Sequence, residues 1–380
     1  MDAVEKPERT SRARRDEQLV ASYDARSLAE RLATARVPMS TARATAAKVV
    51  RHVFANVGDA PWNVEALTAL GIGAWAHEIL LAMDSTPALE VDHEAPAVDG
   101  TVRLVLRARD GALIESVLIP GPGRTTLCVS SQVGCARACS FCETGKLGFQ
   151  RQLSAGEIVD QVRIARALWA REKDKPALSN LVFMGMGEPF DNLTEVLRAL
   201  ELLTDERAFA FAPSRVTVST VGVVDKLPAF FAGCRAELAV SLNAPDDERR
   251  RVIMPVNVRF PLAVLREALL RHVPKSRRVL FEYVLFDRFN DAPEDADLLA
   301  EWTRGIRCRV NVIPCNPGPD PALRPPSPER LDAFVARLSE HRVTTLVRRP
   351  RGRDVGGACG QLAGARRLPL VDSASDIRSP

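Results

Sequence analysis

Read as a pattern of apolar and polar positions, the chain changes texture twice. From residue 26 to about 92, apolar residues recur at helical spacing: Leu28 and Leu32, then Ala46 to Phe54, Val64 to Leu70 and Ala74 to Met83. This predicts a small helical module. Thr101 to Arg107 and Leu113 to Ile119 then alternate around Asp110-Gly111, the signature of a hairpin. From Thr125 onward, short apolar runs alternate with amphipathic stretches. The predicted strands are Thr126–Ser130, Asn180–Met184, Arg215–Thr220, Glu237–Ser241, Val279–Val284, Arg309–Ile313 and Val343–Val347. The predicted helices are Ala155–Trp169, Leu193–Leu203, a shorter Val224–Phe231, Ala263–His272, Glu294–Thr303 and Pro328–Glu340.

Repeated strand–helix units of this length predict an α/β fold, a partial or complete β/α barrel with its chemistry at the C-terminal ends of the strands. The organisation expected is a tail at 1–25, a helical accessory domain at 26–95, a β-hairpin linker at 96–120, a barrel core at 121–365 and a second tail at 366–380. The polar N-terminus lacks an apolar signal region, and Ile72 to Met83 is too short and too charged to span a bilayer. A cytoplasmic location with no membrane contact is the expectation. A net charge of +4 is a weak argument for a polyanionic partner. Local clusters carry more: Arg348, Arg349, Arg351 and Arg353, and then Lys275, Arg277 and Arg278. Each alone reads equally as a solvated face.

Eight cysteines in a reducing compartment are expected to be ligands, catalysts or core residues rather than structural disulfides. Cys135, Cys139 and Cys142 form C-x3-C-x2-C, with Phe141 before the third, in a loop after a predicted strand. Three thiolates can hold three irons of a 4Fe-4S cluster and leave the fourth iron open. The alternative is a zinc site completed by Cys128 in an RNA-binding protein without enzymatic activity. Gly187 and Glu188 follow the next strand, in Met184-Gly-Met-Gly-Glu-Pro189. Ser219, then Ser241-Leu242-Asn243, then Asn316 stand at later strand ends and would converge on one mouth.

These residues resemble the radical S-adenosylmethionine (SAM) superfamily, and within it the RlmN/Cfr family of RNA adenine methyltransferases. The closer likeness lies in Leu127 to Cys135, Gly148 to Leu153, Met184 to Pro189, Ser219 to Val223, Glu282 to Val284 with Asn290-Asp291, Ile313 to Pro317 and Ala358 to Leu362. The resemblance implies a 4Fe-4S cluster on Cys135, Cys139 and Cys142, and SAM held by Gly187, Glu188, Ser219, Ser241, Leu242, Asn243 and Asn316. It implies that Cys359 accepts a methyl group from one SAM. A radical from a second SAM then activates that methyl for addition to an electron-poor adenine carbon. Cys128 would release the product by attacking Cys359, and Glu115 would take the ring proton; an exposed strand glutamate is its other reading.

Arg351 and Arg353 would favour the Cys359 thiolate, and both basic clusters would meet RNA phosphates. The implied partners are ribosomal RNA and transfer RNA, with a flavodoxin-type electron donor, and the chain is expected to be a monomer. Carbon 2 of adenine is the expected target, with carbon 8, another RNA or a small molecule as alternatives. The family commonly has Ser-Leu-His-Ala where this chain has Ser241-Leu242-Asn243-Ala244.

Overall fold

The computed structural model describes residues 25–55, 63–83, 87–316 and 322–362. The expected tails at 1–25 and 366–380 lie almost wholly outside the described residues, as does Pro317.

The helical stretch folds as α1 (Ala25–Leu32), α2 (Met39–Ala55), α3 (Val64–Ala69) and α4 (His77–Leu81). Leu28, Leu32, Ala46, Val49, Val50, Leu67 and Leu80 close its core, as the 3.6-residue period requires. Three antiparallel strands follow: β1 (Leu89–Pro96), β2 (Val102–Ala108) and β3 (Leu113–Gly121), with Gly111 at φ 82° turning the β2–β3 hairpin. The expected hairpin is therefore three strands wide. β1 is an edge strand carrying Glu90, Asp92, His93 and Glu94 on exposed positions, so it shows no apolar alternation.

β3 pairs antiparallel with β4 (Arg124–Cys128), and the sheet then turns parallel through β7 (Leu178–Phe183), β8 (Val216–Thr220), β9 (Glu237–Ser241), β10 (Val279–Leu285), β11 (Cys308–Pro314) and β12 (Thr345–Val347). Among the described residues this is one ten-stranded sheet in linear order, with β1 and β12 at its edges. The parallel part is thus a partial β/α barrel. Each step moves one strand in the same direction, across α6 (Ala155–Trp169, before β7), α7 (Leu193–Thr204), α8 (Leu227–Gly233), α9 (Asp247–Ile253) with α10 (Leu262–His272), α11 (Pro293–Thr303) and α12 (Pro328–Glu340). The remaining elements, β5 (Gln132–Gly134), α5 (Glu143–Lys146) and β6 (Phe149–Gln152), lie between β4 and α6.

The two faces of the arc separate by the strand period of two. Phe281 meets Trp302 of α11 and Tyr283 stacks on Phe334 of α12, so these residues face the helices. Burying each such ring contributes roughly 2–3 kcal/mol. Glu282 between them faces the concave side, beside Asn311 and Ser241 in register. Thr126, Cys128, Val182, Ser219 and Ile313 lie on that same face by alternation. Among the described residues no helix is long and apolar enough to cross a membrane.

Candidate active site

β5 and β6 form a two-stranded clasp across the base of the cysteine loop. Gly134 has φ 73°, and a Cβ there would stand 1.8 Å from the Gly148 carbonyl oxygen. Only glycine permits that approach, which lets the Cys135 amide donate to the Gly148 carbonyl at 2.9 Å. Cys135, Cys139 and Cys142 then run into α5, with the loop tied to α9 by the Ser140 amide on the Ile253 carbonyl. Among the described residues no three His, Cys, Asp or Glu side chains converge on a single-ion position. Cys128 stands at the end of β4 rather than in this loop.

The donor set fits a cage of irons, which places each thiolate on a separate metal atom. Burial pushes the Cys135 thiol up to about 12 and raises Cys139 and Cys142 as well. The mutual charge of the three sulfurs adds to the shifts of Cys135 and Cys139. Thiolates gathered this way need a strongly cationic group beside them. The buried hydroxyls of Ser131 and Ser140, flanking the loop, have no hydrogen-bond partner, and a polar ligand would supply one.

Gly187, at φ 103°, packs so closely on Gln132 that a Cβ would stand 2.6 Å from its side chain. The Gln132 side-chain oxygen accepts from the Glu188 amide at 2.8 Å. Glu188 is buried, and its carboxylate accepts from Phe190 and from Val221, joining the ends of β7 and β8. Burial pushes it up to about 7, against the pull of those amides and of Thr220. Ser219 and Ser241 are half-buried on the concave face, while Leu242 is buried and donates its amide to the Glu282 carbonyl.

The two asparagines are engaged by protein. Asn243, at φ 59°, accepts from the Val284 amide at 3.0 Å, and its Nδ2 points at the Met254 sulfur. Asn316 donates to the Cys359 carbonyl at 3.1 Å and accepts from Arg353 at 2.8 Å. Each amide has a further N–H and a further lone pair beyond these bonds.

Cys359 lies in a loop folded over the mouth. The loop is clamped to the cysteine loop, with the Glu143 amide on the Gly360 carbonyl and the Thr144 hydroxyl on the Leu362 carbonyl. Cys128 and Cys359 line the same cavity, with Met184, Ile313, Asn316 and Arg348. Its free space is about 50 Å³, room for a few waters and too small for a nucleobase. Cys128 is buried, which pushes its thiol up to about 12, and negative charge on Cys359 adds to that.

Three expectations are corrected by this geometry. Glu115 is not an exposed strand glutamate: it is 0% exposed and holds Arg103 through two hydrogen bonds of 2.7 and 3.1 Å. Arg103 reaches on to the Val355 carbonyl at 2.8 Å, so the pair also anchors the Cys359 loop. Arg351 is not a free counter-charge for Cys359, since it is paired with Asp99, whereas Arg353 is bound to the neutral Asn316 and the Cys315 carbonyl and keeps its charge. The cation that answers to Cys359 is Arg348, whose guanidinium is held further protonated chiefly by the Cys359 charge and then by Glu282 and Cys128. Finally, Lys275, Arg277 and Arg278 precede β10, at the opposite end of the parallel strands from the cysteines, and Arg277 is bonded to the Cys234 and Ala236 carbonyls.

Sequence comparison bears on the same residues. Residues 129–300 match the radical SAM superfamily. The chain is 72% identical over 369 residues to "Probable RNA methyltransferase sce1580" of Sorangium cellulosum (strain So ce56), covering 96% of this chain and 92% of that one. It is 48% identical over 277 residues to "Dual-specificity RNA methyltransferase RlmN" of Syntrophobacter fumaroxidans, covering 72% and 80%. The crystal structure of a radical SAM methyltransferase from Sphaerobacter thermophilus superposes with a TM-score of 0.81 at 38% identity, over 91% of this chain and 99% of that one. These relatives overturn the reading as a zinc-bound RNA-binding protein without activity: the chain is a methyltransferase and belongs to the RlmN-type RNA methyltransferases of the radical SAM superfamily.

Proposed function

We propose that this enzyme methylates carbon 2 of an adenine in RNA, with Cys359 as the covalent methyl carrier. The observation that supports the reading best is the shared cavity of Cys128 and Cys359 at the strand ends, beside the cysteine loop. In this reading Cys135, Cys139 and Cys142 hold a 4Fe-4S cluster, and Gly187, Glu188, Ser219, Ser241, Leu242, Asn243 and Asn316 hold SAM, the two asparagines through the donor and acceptor positions their protein bonds leave over. When bound, these cofactors supply a methyl group and a carbon-centred radical. The chain's own groups do the rest. Cys359 carries the methyl on its sulfur and presents it to the base. Cys128, as a thiolate, then attacks that sulfur: an S–S bond forms as the S–C bond to the base breaks, and the departing carbon keeps the bonding pair and takes up one proton to complete the methyl group.

In this reading each cycle begins from reduced thiols and ends with an electron donor, of flavodoxin type, restoring them. Glu115 is bonded to Arg103 through both carboxylate oxygens and becomes a proton acceptor once RNA binding draws Arg103 away. Arg349 is exposed at the mouth and is suited to a phosphate. The substrate base must be unstacked, as in loops of ribosomal RNA and transfer RNA. A cytoplasmic, monomeric enzyme suits these substrates.

The test is reconstituted turnover on ribosomal RNA and transfer RNA fragments, with nucleoside mass spectrometry resolving 2-methyladenosine from 8-methyladenosine. The proposal expects the 2-methyl product, abolished by Cys359→Ala. A product formed by Cys359→Ala removes the carrier from the account, and 8-methyladenosine overturns the choice of carbon.

A further inference from the structure

Cys359 must be a thiolate to accept a methyl group, yet it sits in a cavity that also holds Cys128, a second sulfur whose charge would oppose it. The cation at this position is Arg348, the first residue beyond β12. Its backbone amide donates to the Val312 carbonyl at 2.9 Å, which fixes it to the sheet rather than to the loop. Its Nη1 lies 3.3 Å from the Met184 sulfur, so the guanidinium crosses the concave face towards β7 and β4. Behind it stands Glu282, a buried carboxylate on the inner face of β10. One Glu282 oxygen accepts from Asn311 at 3.0 Å, and the other, also buried, has no hydrogen-bond partner. A carboxylate placed so is costly to bury unless a nearby charge compensates it. Arg348 provides that charge and remains protonated throughout.

We propose that Arg348, backed by Glu282 and Asn311, is the positioning residue that holds Cys359 as a thiolate for methyl acceptance. The assignment rests on the carrier reading given above. In the step it serves, a lone pair of the Cys359 sulfur forms the new S–C bond as the S–CH3 bond of a sulfonium donor breaks. The donor sulfur leaves with the bonding pair as a neutral thioether, and no proton is exchanged, because the thiol has already given its own up. Arg348 and Glu282 lie on strands, whereas Cys359 lies on the loop, so the charge waits in place while the sulfur moves over it. Of the other charged groups around the loop, Arg103 is committed to Glu115 beneath Gly356, Arg351 to Asp99, Arg353 to Asn316 and Asp354 to the Val98 amide, while Arg349 also lines the cavity but is exposed at its mouth. Burial on Cys128 points the same way, since it raises that thiol and disfavours a second thiolate in the cavity.

The test is iodoacetamide labelling of Cys359 in the anaerobically purified full chain, across a pH series, read on the unmethylated peptide by mass spectrometry. It needs neither RNA nor added SAM. Arg348→Gln should raise the pH midpoint of labelling by about one to two units, the usual effect of an opposite charge at close range. Arg348→Lys should recover most of the shift. Glu282→Gln should move the midpoint the other way, since it removes the charge that competes for Arg348. In methyl-transfer assays Arg348→Lys should lower kcat with little change in KM for RNA. Should Arg348→Gln fail to fold, Arg348→Met, which fills similar space without charge, takes its place, and loosening alone would not carry it and Glu282→Gln in opposite directions. An unmoved midpoint in the uncharged Arg348 variant or in Glu282→Gln overturns the assignment of Arg348, even in an active enzyme. A parent protein that labels as expected but methylates no RNA overturns the carrier reading instead.

Discussion

Replacing Glu115 with Gln removes the negative half of a pair whose side chains are 2% and 0% exposed. Arg103 would keep its bond to the Val355 carbonyl but lose two charge-assisted bonds from its Nε and Nη2. An uncompensated guanidinium buried this way costs about 3–5 kcal/mol. At about 2–4 °C per kcal/mol for a large domain, the melting temperature should fall by roughly 10 °C. The double variant Arg103→Met/Glu115→Leu should regain most of that loss, since an apolar pair of similar volume is tolerated where a lone charge is not. Thermal unfolding followed by circular dichroism gives both values, and single-turnover methylation of RNA gives the chemical consequence. If the double variant regains stability without activity, Glu115 acts in the chemistry; if both return, its role is to hold the loop through Arg103. A Glu115→Gln protein as stable as the parent would refute the energetic reasoning.

Three further outcomes follow from the same geometry. Arg250→Met should cost about 3 kcal/mol or more in denaturant unfolding, because the buried Arg250 donates to the Val221, Ser241, Leu242 and Phe260 carbonyls and to Asn257, and removing it takes a donor from each of the five. Gly134→Ala should abolish iron incorporation, read as iron and sulfide per chain, whereas Gly111→Ala, where a Cβ meets nothing within 4 Å, should keep it. Burial raises the Glu188 carboxyl from an unfolded value of 4.5 to about 7, so its contribution to stability is present below 4.5 and is lost as pH rises through 7. The denaturant midpoint of the ligand-free parent should therefore decline across that window, and Glu188→Gln should flatten the decline.

Much of the barrel was legible because each core strand is bounded by turn residues and each helix carries a clear apolar stripe. Glu237–Ser241, Ala155–Trp169 and Pro328–Glu340 agree with the predicted bounds to the residue. Ser154 and Ser327 cap those two helices with side-chain bonds, which makes their starts readable from local chemistry. β1 was not legible, since an edge strand has no need of alternation. The β5–β6 clasp escaped because its short strands sit inside a loop that the cysteines alone drew attention to. α9 escaped because Asp247 to Ile253 is a charged run whose one buried arginine looks like any surface arginine.

At the site, the cysteines, Gly187 and Glu188 announce themselves by spacing. Arg348 does not: it is one of four arginines in a run, and only the register of β12 against β11 separates the one that faces inward. Its one sequence signal is an arginine directly after an apolar strand, at the end of the barrel where the chemistry lies. The same register carries Glu282, which reads in sequence as a polar interruption of a buried strand and proves to lie on the concave face within the influence of the Arg348 charge. The fates of Asn243 and Asn316 were hidden for another reason, since an amide can serve a ligand or the backbone equally well and only coordinates show which.

The central claim is that the sulfur of Cys359 carries the methyl group, and the most direct measurement is mass spectrometry of its peptide. The protein would be purified without oxygen, incubated with SAM bearing a deuterated methyl group, and digested before and after one turnover on RNA. The account predicts a labelled methyl on Cys359 that disappears on turnover and is recovered in the adenine with one deuterium lost, as a hydrogen must leave the methyl for it to join the ring. An adenine carrying all three deuteriums, with Cys359 never modified, would contradict it.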